Sequence, residues 1–123
     1  MPNANSGSLA LNIFNRISPL PNNVSGALVS IVEEKVFLAE QLTGDSIGTT
    51  AIAERYQSPI TDLSTATVLQ LMGIQDMGVQ SVSVGDLTTN NSNFMEMSRQ
   101  FEQKGIQSLK WLTKGAKYYR TRG

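Results

Sequence analysis

The chain of 123 residues contains no cysteine and no histidine. The first absence excludes disulfides, thiolate metal sites and cysteine nucleophiles. The second removes the commonest general base and the commonest transition-metal ligand. Charged residues make up only 16% of the sequence, against about 25% in ordinary domains. A surface so poor in charge is either interface or a coat of Asn, Ser and Thr. No apolar run approaches the ~18 residues of a membrane-spanning helix. The opening stretch MPNANSGSLALNIFNR has neither early positive charge nor a long apolar segment, so a secretory signal is not expected and the expected compartment is the cytosol.

What is present is divided by charge. Net charge is zero, yet residues 1–98 hold nine acids and three bases, a balance of −6, and residues 99–123 hold seven bases and one acid, a balance of +6. Such asymmetry marks a basic end that seeks an acidic partner, either nucleic acid or the acidic body of another copy. Between Lys104 and Arg122 there is no acid, and Tyr118 and Tyr119 stand among the bases.

One domain is the natural expectation at this length. Three prolines and six Asn in residues 1–23 predict an extended N-terminal arm over residues 1–24, with LALNIF as an apolar patch. A free arm is the expectation, with burial of the patch as the alternative, because Leu9, Leu11, Ile13 and Phe14 would be costly to leave in water. A helical domain follows over residues 25–115. Its first helix is predicted from Ser25, as N-cap, to Thr43, with Leu28, Ile31, Val32, Leu38 and Leu42 on one stripe and Gly44 as the left-handed C-terminal residue. Val36 and Phe37 leave that stripe, so a neighbouring helix or subunit is expected to cover them. A short helix is predicted near residues 48–56. A central buried helix should open at Ser58 with Pro59 in its first helical position and Asp62 near its positive end.

The segment SVSVGDLTT reads as a hairpin within residues 79–89. Val82 and Val84 alternate with Ser81 and Ser83, and Gly85-Asp86 supplies a two-residue turn. A lone hairpin is marginal in water, so it either packs on its own bundle or accepts a strand from a neighbour. The last helix is predicted over residues 94–115, with Phe94, Met97, Phe101, Gly105, Leu109, Leu112 and Ala116 on one stripe and an i,i+3 pair between Glu96 and Arg99. Gly105 serves close helix packing or a kink, and Trp111 lies off the stripe. Residues 116–123 are expected to form a C-terminal tail in which tyrosines and fork-shaped arginines supply contacts. The fold class is therefore mainly α: a small bundle of three to four helices, with a long C-terminal helix, one β-hairpin and extended termini.

Chemistry is scarce. Glu33 and Glu34 point to different sides of a helix, and nothing in the sequence indicates that Glu54 and Asp62 come together. The glycines match no phosphate-binding fingerprint, and GDLTTNNSN lacks the alternating acids of a calcium loop. No catalytic, cofactor or metal site is expected, and the chain is not expected to be an enzyme. A nucleic-acid module using the basic-aromatic end is the alternative reading. Against it, dedicated DNA-binding domains usually have a pI above ~9, whereas this sequence has a pI near 6.2.

The phrases AEQLTGDSI, TDLSTATVLQLMGIQDMGVQSVSVGD and KYYRTRG, set on a first helix, a central helix with hairpin and a long last helix, resemble the small head–tail adaptor (head-completion or connector) proteins of tailed bacteriophages. The resemblance covers residues 25–123. It implies a structural subunit of a virion neck, assembled in the host cytoplasm into a homo-oligomeric ring, expected to be a dodecamer. Such a ring binds the portal protein, offers a face to the tail or a stopper protein, and continues the channel through which packaged DNA passes without sequence-specific binding. No membrane is involved and no cofactor. The resemblance implies that Lys114, Lys117, Tyr118, Tyr119, Arg120 and Arg122 bind the portal or a neighbouring subunit. It also implies that a loop with Asp86, Thr88, Thr89, Asn90 and Asn91 faces the lumen or the tail.

Overall fold

The computed structural model describes residues 3–18, 20, 22–75, 81–85, 87–90 and 93–122, with backbone alone at 73–75, 81–82, 87–90 and 114–122. In chain order the elements are α1 (Ser6–Arg16), β1 (Ile17–Ser18), α2 (Asn22–Ser25), α3 (Leu28–Thr43), α4 (Glu54–Gln75), β2 (Ser81–Val84), β3 (Leu87–Asn90) and α5 (Phe94–Arg122). The protein is mainly helical, with a long last helix and a small antiparallel hairpin, as the sequence predicts. Among the described residues there are five helices, of which α2 is four residues long.

The N-terminal region is not an extended arm. Asn5 caps α1 by accepting from the Ser8 amide at 2.7 Å, which satisfies one of the helix's orphan donors. Leu9, Ala10 and Ile13 then fall on one face and enter the core, as does Ile17 just beyond the helix. The prolines at 2, 19 and 21 flank the helix rather than interrupt it, so their restriction of φ does not oppose it. Leu11 and Phe14 remain exposed. Backbone bonds from Ala4 and Ser6 to Ile52 and Thr49 tie this region to the loop after α3.

The helix predicted from Ser25 is broken into α2 and α3, and α3 starts after Ala27 without a side-chain cap. It ends at Gly44 with φ 76°, a conformation that suits glycine. Its buried residues are Leu28, Ile31, Val32, Val36 and Ala39. Leu42 and Phe37 are exposed and Leu38 is half-buried against the core, so the core stripe includes Val36 and leaves out Leu42. The Glu40 carboxylate accepts from the amides of Ile47 and Gly48 at 2.7 and 3.0 Å, which shapes the following loop.

That loop replaces the short helix expected near 48–56, and α4 begins at Glu54 instead of Ser58. Pro59 lies inside α4, where its missing N–H leaves the Arg55 carbonyl without an i+4 donor. Arg55 is exposed, so water can serve that oxygen. Every residue from Pro59 to Ala66 is buried, which makes α4 the central helix. Two of its buried hydroxyls bond within the helix: Ser64 donates to the Ile60 carbonyl and Thr65 to the Thr61 carbonyl, both at 2.8 Å.

Helix α5 packs antiparallel on α4. Ser98 donates to the Ala66 carbonyl at 2.6 Å, and Gly105 faces Pro59 and Leu63. A Cβ at Gly105 would stand 2.8 Å from Leu63 Cγ and 3.0 Å from the Pro59 carbonyl oxygen. The glycine therefore serves close helix packing. Phe94, Ser98, Phe101, Gly105 and Leu109 form the buried stripe. On the wet side Glu96 and Arg99 form the predicted i,i+3 pair at 4.0 Å.

One edge of the hairpin is covered by its own chain. Ile17 and Ser18 pair with Val84 and Ser83, so the sheet order is β1-β2-β3, and the Gly85 amide donates to the Arg16 carbonyl at 2.9 Å. The β2 edge is thus occupied from within, and no neighbouring strand is needed there. Val84 pairs with Leu87 across the predicted two-residue turn, and Gly85 takes φ 62°.

Candidate functional site

The residues expected to bind a partner do not lie on a tail. Positions 114, 117, 118, 119, 120 and 122 all belong to α5, which continues to Arg122 instead of ending near Gly115. Five consecutive helix-compatible residues after Gly115 and a chain free of proline there allow the backbone ladder to propagate. The side chains of Lys114, Lys117, Tyr118, Tyr119, Arg120 and Arg122 lie outside those described. Of the residues expected in a lumen-facing loop, Thr88, Thr89 and Asn90 are in β3, paired with Ser83, Val82 and Ser81. They form a strand because their backbone groups find ladder partners. Asp86 and Asn91 lie outside the described residues.

The register of α4 against α5 has a consequence for the basic end. Arg55, at the start of α4, lines one groove with Trp111 and Leu112. Helix α5 runs on from there for about three more turns to Arg122, beyond the first residue of α4. The bases of the C-terminal region are thereby carried on a helix that has outrun its principal packing partner.

Trp111 is 69% exposed and stands where two surface grooves meet. One, of about 520 Å³, is formed by Gln103, Ile106, Gln107, Lys110 and Trp111. The other, of about 450 Å³, lies between α4 and α5 and includes Arg55. The Arg55 guanidinium also sits 4.7 Å from the centre of the Tyr56 ring, a cation–π distance. Tyr56 itself is buried, donates its hydroxyl to Asp45, and has its pKa raised by burial and then by that carboxylate.

A third cleft, of about 360 Å³, separates α1 from α4 and is lined by Asn12, Asn15, Arg16, Ser58, Thr61 and Asp62. Asp62 is not at the helix start. It is 4% exposed, and its Oδ2 is buried without a hydrogen-bond partner. Burial raises its pKa, opposed by the charges of Lys104 and Arg16. The site can hold a proton or accept a bond from a donor. One signal pointed to it: Asp62 is the sole charge in the run from Ser58 to Gln75, and such a charge is placed either at a solvated edge or at a special site.

Among the described residues no group of three His, Asp or Glu side chains is placed to hold a metal ion, and no helix is long and apolar enough to cross a membrane. Comparison with protein-family models, with curated proteins and with solved structures finds no match.

Proposed function

We propose that this chain is a structural subunit of the ring that joins head to tail in a tailed bacteriophage, binding the portal and continuing the DNA channel toward the tail. The observation that carries the reading is the basic last part of α5, held on a helix that extends past α4 while the rest of the chain is acidic. A helical cationic projection on an acidic body suits a contact in which one subunit's end meets another protein's surface. Lys114, Lys117, Tyr118, Tyr119, Arg120 and Arg122 carry that contact, either to the portal or to a neighbouring subunit.

The test is removal of residues 114–123 from a phage or a reconstituted portal complex, with ring occupancy read by electron microscopy. Loss of the ring supports the reading; unchanged occupancy refutes it. The same cationic helix also suits nucleic acid. Strong DNA binding by the isolated protein, weakening steeply with salt, together with no affinity for the portal, would turn the assignment to a nucleic-acid module.

A further inference from the structure

We infer that the Trp111 face of one copy docks on the outer face of α3 in a second copy. This rests on the ring reading and names its subunit interface.

Two described surfaces expose large aromatic side chains in complementary electrostatic settings. On α3, Phe37 is 60% exposed. Glu33 and Glu34 lie one turn before it, both exposed, on the side of the helix opposite the Val32–Val36 core stripe. Lys35 reaches Glu34 only at 3.9 Å, with its own side chain mostly buried, and Glu33 receives a long 3.5 Å bond from the Ser6 hydroxyl. The face stays anionic around an aromatic centre. On α5, Trp111 is flanked by Lys110 in one groove and Arg55 in the other, and among the described residues no anionic side chain lines either groove. The face is cationic around an aromatic centre.

An exposed Trp or Phe alone is ordinary. Two such residues, one ringed by carboxylates and one by cations on the same chain, fit one another. Aromatic and arginine side chains are the types that dominate binding energy at interface centres, and opposite charges at the rim set partner choice and register. The two faces are different surfaces, so the contact is heterologous. Repeated by a rotation that closes, it makes a ring, as the ring reading requires, whereas a self-complementary contact would stop at a dimer. The grooves beside Trp111, about 520 and 450 Å³, have room for a Phe side chain.

The experiment is sedimentation of the full chain at low salt, with charge-reversed variants. Lys110→Glu with Arg55→Glu in one protein, and Glu33→Lys with Glu34→Lys in another, should each abolish self-association. A 1:1 mixture of the two should restore it, because each new anion then meets a new cation. Trp111→Ala should weaken association by about 30-fold, the size of a hot-spot truncation. Restoration in the mixture also shows that both variants are folded. The inference is overturned by a wild-type chain still monomeric at about 1 mM, a concentration at which even weak specific contacts register. It is equally overturned by a mixture no better than its parts, or by an assembly that ends at the dimer. Association that follows the charge swaps without any affinity for the portal would uphold this interface and remove the phage assignment. Portal binding that ignores the swaps would do the reverse.

Discussion

Helices α4 and α5 are each other's main partners, yet they spend their surfaces differently. At the level of Pro59–Ala66, α4 is covered all round by α1, α3 and α5. Its side chains are apolar or hydroxyl-bearing, with one carboxylate. Helix α5 buries a single stripe and leaves its other side, with Trp111, Lys110 and Arg99, in water. The first helix is spent within the molecule; the second retains a free face. The contrast separates residues that hold the fold from residues available to a partner.

Substitutions can break or sharpen that contrast. The largest effect belongs to Phe94→Ala, at the start of the α5 stripe, where a fully buried ring is replaced by a cavity. A loss of about 3–5 kcal/mol is expected, measured by chemical denaturation. Gly105→Ala comes next. The added methyl meets Leu63 and the Pro59 carbonyl, and overpacking of this kind costs about 1–3 kcal/mol, less the ~1 kcal/mol helix gain of Ala over Gly. If Gly105→Ala raised stability, the closeness of the α4–α5 seam would be disproved.

Asp62→Asn probes the one charge within the buried Pro59–Ala66 stretch of α4. Burial raises the folded carboxyl above its ordinary 3.8, so between the unfolded and folded values the native state binds more protons. Stability from this group therefore falls as pH rises from about 3.8 through the higher folded value, and stays lower above it. The Asn variant should lose that slope and be the more stable protein at neutral pH, as denaturation across a pH series will report. The smallest change is expected of Trp111→Ala, within about 0.5 kcal/mol of wild type in thermal unfolding of the monomer, because its ring contributes little to the core. A larger loss would move Trp111 from the free face to the fold.

The parts of the fold that were legible in the sequence were those fixed by local chemistry. Gly44 and Gly85 were readable because a helix end and a two-residue turn each require positive φ. The α5 stripe and the buried α4 were readable because apolar spacing over several turns has one solution. What stayed hidden depended on distant neighbours. Pro59 obeys the N1 rule locally, but Gln57 donates to the Ile52 carbonyl and the helix starts a turn earlier. The proline-rich opening concealed α1, since a capped helix of 11 residues stands only when its apolar face meets a core. Strand β1, two residues long, has no period to detect. For the candidate surfaces, charge division was visible in the sequence, while the exposure of Phe37 and the depth of Asp62 were set by packing alone.

The strand that closes the sheet has a temporal meaning as well. Ile17 and Ser18 are synthesised long before Ser83 and Val84, the residues they pair with. When the hairpin emerges from the ribosome, its cover is already waiting. Until that sequence-distant pairing forms the nascent β2 edge is open, and once Ile17 and Ser18 dock on it, Ser83 and Val84 have no free edge to offer a strand from another chain.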